Sequence, residues 1–287
     1  MEKSAERTDS RRTDSRRTDS SASSKSPPTL PWQLFVSELV GTALLVALGL
    51  SVVIIDFGHG GAVTDLVHNA AARRAITGFA FGLIGALITF SAVGKVSGAH
   101  LNPVMSIAFW LERKLSARHL AGYLTAQFLG ALAGAVPLLA WKSFGAGVHY
   151  GATIPGPQGS LIAALGEAAT TFCLVFGIFT LLGSASLRRF TPLLLPPLYA
   201  LMVWIEAPLS GTSTNPARSF GPAVVAADWQ SFWVYLAGPI AGMLLAVALR
   251  RLPFLDRLEV EVAKVYHFAH DPHRVFRSPD VRRTARK

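Results

Sequence analysis

The chain alternates long apolar runs with short polar segments, and the lengths of the apolar runs indicate its class. The longest runs cover residues 34–55, 75–94, 120–141, 161–183 and 232–249. A helix rises about 1.5 Å per residue, so each run crosses or nearly crosses a hydrocarbon layer about 30 Å thick. A further run, 192–209, is shorter and contains Pro196, Pro197 and Pro208. Spanning helices tolerate proline where neighbours satisfy the freed backbone groups, so the pattern predicts six spans and an integral membrane protein.

Two polar stretches that interrupt this pattern are related to each other. Residues 97–103 read SGAHLNP and residues 210–216 read SGTSTNP, with Ser, Gly, Asn and Pro in register. Each is followed by an apolar piece too short to span, and each half opens its first span with an acid, Glu38 or Glu167. A half with three spans makes the next half enter from the opposite side. The sequence therefore predicts inverted repeats over residues 32–142 and 160–252.

An Asn followed by a Pro is a favourable start for a helix. The Asn side-chain oxygen accepts from a free backbone N–H, and Pro at the first helical position has no N–H to leave unpaired. Asn102 and Asn215 therefore predict two half-helices, whose N-termini meet near the midplane under inverted symmetry. Non-helical backbone is tolerated there when it lines a water-filled path. We expect each Asn to keep its amide N–H groups free for a passing oxygen, and the two positive dipole ends to repel cations and protons.

These motifs resemble those of the aquaporin or major intrinsic protein family. The resemblance rests on SGAHLNP, on NPARSFGP at 215–222 and on the inverted six-span repeat, and it covers residues 32–252. It implies an all-α membrane protein with six transmembrane helices plus two re-entrant half-helices. It further implies a passive channel that is not an enzyme and has no cofactor, assembled as a homotetramer.

The resemblance also assigns roles by position. Asn102 and Asn215 match the paired pore asparagines. The half-helix starts are Pro103, Val104, Pro216 and Ala217. The selectivity filter comprises Arg218, Val203, Thr212 and Gly82, or Phe81 if the count along the second span slips by one. Glu38 and Glu167 match the acids that brace the re-entrant loops.

The chain departs from the family pattern at positions that bear on the solute. Val104 stands where the first motif usually has Ala, and Val203 stands where water-selective members carry a histidine. Val104 adds bulk beside the midplane, where the two half-helix tips pack. The missing histidine, together with Gly82 if it is the filter residue, predicts a wider and less polar filter, whereas Ser219 resembles the water-channel pattern. The expected function is a channel for water that excludes ions and protons, with glycerol, urea or undissociated metalloid acids as further candidate solutes.

Two other classes compete with the channel. A proton-coupled secondary transporter of a small solute could use Glu38 and Glu167 as a proton relay, and it would concentrate solute where a channel only equilibrates it. An intramembrane serine protease is disfavoured because the sequence contains no Gly-x-Ser-x-Gly motif.

The composition agrees with a membrane protein, and the distribution of charge predicts the orientation of the chain in the membrane. Of the 287 residues, 51% are hydrophobic and 15% are charged, against about a quarter charged in soluble domains. Most of the 27 Lys and Arg lie in the two tails and in the connections after the second and fourth spans; the exceptions are Arg73, Arg74, Lys142 and Arg218. The positive-inside rule then places both termini in the cytoplasm, at the plasma membrane. Anionic lipid is a sufficient partner for the net charge of +10, so no nucleic acid is expected.

The tails are predicted to lie outside the channel domain, which covers residues 32–252. Residues 1–31 contain the repeat ERTDSRRTDSRRTDS and predict a disordered polar tail. Residues 253–287 predict a basic, solvated C-terminal tail. His267, His270 and His273 recur there at three-residue spacing, but without Cys or a carboxylate in a set geometry they predict no metal site.

Overall fold

The computed structural model describes residues 31–252 and 259–277; the N-terminal repeat lies outside the described residues. The helices in chain order are α1 (Trp32–Phe57), α2 (Ala62–Leu66), α3 (Ala70–Phe90), α4 (Ala92–Ser97), α5 (Pro103–Leu111), α6 (Ala117–Ala135), α7 (Lys142–Ala146), α8 (Ser160–Leu182), α9 (Thr191–Ser210), α10 (Pro216–Ala226) and α11 (Val234–Arg250). Short 3₁₀ turns cover Val136–Trp141, His149–Gly151 and Arg188–Phe190. Within the described ranges, β pairing is limited to an isolated bridge between Val262 and Arg277. The all-α prediction is confirmed.

Helix lengths match a membrane-spanning bundle. In the described part of the chain, five helical stretches are long and apolar enough to cross a membrane: Trp32–Phe57, Ala70–Phe90, Ala117–Ala146, Ser160–Leu182 and Arg188–Ser210. The apolar helix α11 is shorter, at 17 residues, or about 26 Å at 1.5 Å per residue. The proline-rich run 192–209 lies within the continuous helix α9, which has Pro196, Pro197 and Pro208 in its interior.

The predicted bounds of the second span, 75–94, are wrong at both ends. Helix α3 begins earlier because Asn69 caps it, its side chain accepting hydrogen bonds from two backbone N–H groups of the first turn. It ends at Phe90 because Ser91 adopts an extended backbone and caps a new helix, α4, by accepting from the N–H of Val93. The chain therefore changes direction before the first re-entrant loop.

The packing of the helices follows the internal repeat. Contacts are most extensive between α3 and α9, between α8 and α11, and between α1 and α6. The first and third spans of each half thus lie side by side, and the middle spans of the two halves pack against each other. The half-helices α5 and α10 each contact both α6 and α11. Both halves thus use the same pairing, as expected for a twofold internal repeat.

Small residues allow the close approach of paired helices. A Cβ atom at Gly134 of α6 would overlap the carbonyl oxygen of Ala43 in α1, and one at Gly242 of α11 would overlap that of Ala168 in α8. Lipid tails are as apolar as leucine, so helices in a membrane associate through such packing rather than through a hydrophobic force between them.

Residues 259–277, hereafter the C-terminal segment, fold back onto the bundle. The segment buries Val260, Val262, Ala263, Lys264, Val265 and Phe276. The prediction of a solvated tail is therefore wrong for these residues. Their packing partners lie far away in the sequence, so the composition of the tail does not reveal that they are buried.

We predict that Gly134→Ala destabilises the bundle, because its methyl group collides with the backbone of Ala43 and overpacking costs about 1–3 kcal/mol. Gly85→Ala is the matched control: it lies inside α3, where an added Cβ has its nearest neighbour, a Leu195 methyl carbon, at 3.6 Å. Thermal unfolding in detergent should show a lower midpoint for Gly134→Ala alone. Equal midpoints for the two variants would contradict the packing described for α1 and α6.

Candidate functional site

Both half-helices begin with the predicted cap. Asn102 Oδ1 accepts a hydrogen bond from Val104 N–H at 3.0 Å. Asn215 Oδ1 accepts from Ala217 N–H at 3.1 Å and from Arg218 N–H at 3.2 Å. The first helical positions are held by prolines, Pro103 and Pro216. Backbone N–H groups that a helix start leaves unpaired are thereby satisfied.

The two asparagines also bind the opposite loops. Asn102 Nδ2 donates to the carbonyl of Thr214 at 2.9 Å, and Asn215 Nδ2 donates to the carbonyl of Leu101 at 2.8 Å. These crossed bonds join the two half-helix tips. The expectation that the amide N–H groups stay free is therefore wrong for one hydrogen of each side chain. The second hydrogen of each amide has no protein partner within the described ranges.

The loops before the half-helices share an unusual backbone conformation. Residues in the left-handed region occupy equivalent positions in both: Gly98, Ala99 and Leu101 in the first loop, and Gly211, Thr212 and Thr214 in the second. This conformation costs about 1–2 kcal/mol for each residue other than glycine. Alternation between right- and left-handed residues turns successive N–H groups to one side, which creates a concavity suited to an anion.

In the first loop that anion is Glu38, a fully buried residue of α1. Its carboxylate accepts hydrogen bonds from the N–H groups of His100 at 3.0 Å and Leu101 at 2.8 Å. Gln127 of α6 donates a further bond to it at 2.8 Å. Three donors thus compensate a carboxylate that has lost its water.

In the second loop the equivalent group is Glu167 of α8, which is also fully buried. Its carboxylate accepts from the N–H groups of Ser213 at 2.6 Å and Thr214 at 2.8 Å. The Ser210 hydroxyl donates to it at 2.6 Å. Each acid therefore holds the loop of its own half through consecutive backbone N–H groups.

Three further side chains support the loops and were not predicted from the sequence. Tyr123 OH donates to the carbonyl of Ser97 at 2.6 Å, and Tyr235 OH donates to that of Ser210 at 2.8 Å. The two acceptors occupy matched repeat positions. Gln127 is the third. It could have been recognised in the sequence, because it is an uncharged amide inside an otherwise apolar span.

A central cavity of about 50 Å³ lies beside the half-helix tips. Its walls include Asn102, Asn215, Phe81, Tyr199, His100 and Val265. One water-sized probe needs about 10–15 Å³. The central cavity thus has room for a few water molecules beside both asparagines.

A smaller filter cavity of about 30 Å³ lies beside Arg218. The other residues that line it are Val53, Thr77, Phe81, Tyr199, Val203, Gly211 and Thr212. Phe81 and Tyr199 line both cavities, with ring centroids 5.6 Å apart, so their rings stand between the two. The arrangement predicts a narrow path from the filter cavity to the central cavity.

Arg218 is held in a fixed position in the filter cavity. It is only 4% exposed, and its Nη1 donates to the carbonyl of Gly151 at 2.8 Å. Its guanidinium carbon lies 5.9 Å from the centre of the Phe81 ring. A guanidinium with one carbonyl partner retains further N–H donors.

The structure distinguishes the two residues considered for the second span. Phe81 lines the filter cavity, whereas Gly82 packs against α9, where an added Cβ would lie 2.5 Å from the carbonyl oxygen of Leu195. Of the two alternatives, Phe81 is the one that faces Arg218, so this wall of the filter cavity carries an aromatic ring.

The remaining predicted residues fall into two environments. Val203 and Thr212 line the filter cavity. The Thr212 hydroxyl donates to Glu206 at 2.5 Å, which leaves the hydroxyl oxygen with acceptor capacity. Val104 is fully buried in the core and lines neither cavity, so its extra bulk is accommodated by packing.

We predict that Asn215→Ala lowers both stability and flux. It removes a cap worth about 1 kcal/mol and leaves the buried Leu101 carbonyl without its donor, which costs about 1–3 kcal/mol. Asn215→Ser is the matched control, because Ser caps well but is too short to donate across. Thermal midpoints should fall in the order natural protein, Asn215→Ser, Asn215→Ala. Unchanged midpoint and permeability for Asn215→Ala would refute the structural role of this residue.

The chain is similar to known proteins in sequence and in fold. The profile described as Major intrinsic protein matches residues 23–249. The chain is 34% identical over 239 residues to Lens fiber major intrinsic protein of Gallus gallus, covering 79% of this chain and 83% of that protein. It is 32% identical over 250 residues to Aquaporin NIP1-1 of Zea mays, covering 85% and 83% respectively. Its fold matches the solved aquaglyceroporin from Plasmodium falciparum with a TM-score of 0.64 at 21% identity, covering 79% of this chain and 98% of that one. The chain therefore belongs to the major intrinsic protein family, whose members are membrane channels and not enzymes.

Proposed function

We propose that the protein is a passive channel for water and small neutral solutes that excludes ions and protons. The observation that carries this proposal is the meeting of two half-helix N-termini at Asn102 and Asn215 in the wall of the central cavity. Each N-terminus carries a positive partial charge of about half an elementary charge. The asparagine amides offer their remaining hydrogens to a passing oxygen, as a neutral hydrogen-bonding solute requires.

The same geometry supports the proposed exclusion of protons. A water molecule that accepts from both amides directs its hydrogens away from the tips, so it cannot continue a chain of proton hops through that point. The positive dipole ends and the fixed charge of Arg218 oppose hydronium and other cations.

The filter cavity has a polar and an apolar side. Arg218 supplies donors and the Thr212 hydroxyl supplies an acceptor, while Phe81 and Val203 present apolar surface. Such a pair of walls suits a solute with hydroxyl or amide groups along one edge and carbon along the other. Glycerol has this character. Urea and undissociated metalloid acids are small and neutral, and their N–H or O–H groups and oxygens can hydrogen-bond to the polar side. At about 30 Å³ the filter cavity has room for water.

Coupled transport by Glu38 and Glu167 is the alternative, and the contacts of both acids weigh against it. Each carboxylate accepts three hydrogen bonds from loop and side-chain donors. Neither lines the central cavity or the filter cavity. A proton relay needs contact with the permeation path, whereas these acids lie behind the loops.

Orientation and assembly complete the proposal. We place both termini on the cytoplasmic side of the plasma membrane. In support, Lys264 of the C-terminal segment donates to the carbonyl of Lys95, which follows the second span. Arg188, which follows the fourth span, pairs with Glu261. The basic connections thus lie at the same end as the C-terminal segment, which the positive-inside rule assigns to the cytoplasm near anionic lipid. The homotetramer rests on family resemblance alone.

We predict that Val203→His narrows the range of solutes. A histidine ring beside Arg218 adds bulk and a polar group to the apolar wall, so glycerol and urea permeability should fall more than water permeability. Stopped-flow light scattering on proteoliposomes of the natural protein and the variant measures all three. Val203→Leu adds bulk without polarity and separates the two causes.

Two outcomes would count against the solute assignment. The natural protein could pass water and neither glycerol nor urea, or Val203→His could leave their flux unchanged.

Repeating the measurement under an imposed proton gradient tests the transporter. Accumulation of solute above its external concentration would show coupled transport, and equilibration alone would show a channel.

A further inference from the structure

The C-terminal segment lies across one end of the central cavity. Val265 lines that cavity together with Asn102 and Asn215, and Val265 itself is only 3% exposed. Its backbone N–H donates to the carbonyl of Gly98 at 3.0 Å. Gly98 opens the first re-entrant loop, so the segment occupies a loop carbonyl that would otherwise be hydrated at an open mouth.

A second contact engages the loop side chain at the same mouth. His100 Nε2 lies 3.0 Å from the carbonyl oxygen of Ala263. A carbonyl oxygen only accepts, so this nitrogen carries the hydrogen, and Nδ1 accepts from the Ser106 hydroxyl at 3.0 Å. Lys264, between the two contact residues, donates to the carbonyl of Lys95 at 2.7 Å.

The segment has internal structure that shapes it for this position. Ala263 N–H donates to the carbonyl of Phe276 at 2.9 Å, which closes the segment into a loop. Asp271 accepts from the N–H of Phe276 at 3.3 Å. The Phe276 ring is 1% exposed and lies 4.6 Å from Lys264 Nζ. Phe276 thus holds the segment in its folded shape without lining the cavity.

We propose that the C-terminal segment is an intramolecular blocker, which closes this mouth of the pore when docked and opens it by undocking. The proposal rests on the channel function proposed above and adds its regulation. While the segment is docked, Val265 stands in the wall of the central cavity, where it obstructs solute that leaves at this end.

The contacts that dock the segment are of a kind that can be released. Lys114 pairs with Glu259 at 3.0 Å and Arg188 pairs with Glu261 at 2.7 Å, both acids being mostly exposed, and such pairs contribute little. The loop groups bonded to the segment can bond water instead, so their exchange is nearly balanced. Burial lowers the pKa of Lys264 to about 8, because its charged form loses hydration in the docked state.

The experiment uses the full chain with Phe276→Ala. Loss of this buried ring should shift the docking equilibrium toward release on the order of 100-fold. His273→Ala, an exposed position in the same segment, is the matched control. Stopped-flow water permeability in proteoliposomes should rise for Phe276→Ala and stay unchanged for His273→Ala.

Release itself is measured by thiol accessibility. The chain has a single cysteine, Cys173, so Cys173→Ser combined with Val265→Cys gives one reporter in the segment. Labelling by a water-soluble maleimide in detergent should be slow in this background and faster when Phe276→Ala is added. Lys264→Glu, which puts an acid in place of the buried donor, is the second releasing variant.

The outcomes separate the two proposals. Faster labelling without a gain in water permeability over a conducting natural protein would overturn the blocker and leave the channel standing. Released protein no more permeable than empty liposomes would overturn the channel function and the blocker with it. If neither Phe276→Ala nor Lys264→Glu speeds labelling, the segment is a permanent part of the channel and the blocker is refuted.

Discussion

Backbone that leaves a helix at the depth of a membrane must find its hydrogen bonds within the protein, and Glu38 and Glu167 meet this requirement. Each carboxylate lies behind a re-entrant loop and accepts consecutive N–H groups. The left-handed residues of the loops are tolerated because this interaction compensates their strain. With the N–H groups turned toward the acids, the carbonyls of Leu101 and Thr214 face the opposite half, where the asparagine amides reach them.

The crossed asparagine bonds then fix the two halves against each other. A half-helix alone would be short and poorly anchored: α5 has 9 residues and α10 has 11. Joined at their tips and packed on α6 and α11, they become one rigid wall of the pore. Arg218 lies in the first turn of α10, so its position in the filter follows from the same junction. A positive side chain near a positive helix end is unfavourable locally, and its bond to Gly151 and the nearby Glu167 offset this cost.

The sequence predicts those parts of the site that depend on local chemistry. Asn followed by Pro specifies a capped helix start wherever it lies, and the two acids stand at matched positions of the repeat. The sequence does not determine whether Phe81 or Gly82 faces the pore, because Ser91 ends one helix and starts another between the second span and the first motif. A count of residues through such a joint does not determine which residue faces the pore. The carbonyl that accepts from each asparagine amide belongs to the other half of the chain, so no local sequence pattern predicts it.

The C-terminal segment extends the same hydrogen-bonding constraint to the mouth of the pore. The Gly98 carbonyl and the His100 ring need partners there, and either water or the segment supplies them. Exchange between these partners conserves the number of hydrogen bonds, so it does not decide the docked state. Burial of Phe276 favours docking, whereas desolvation of the Lys264 charge opposes it. Because these terms have opposite signs, the docked and released states can lie close in free energy, and a change in either term moves the balance.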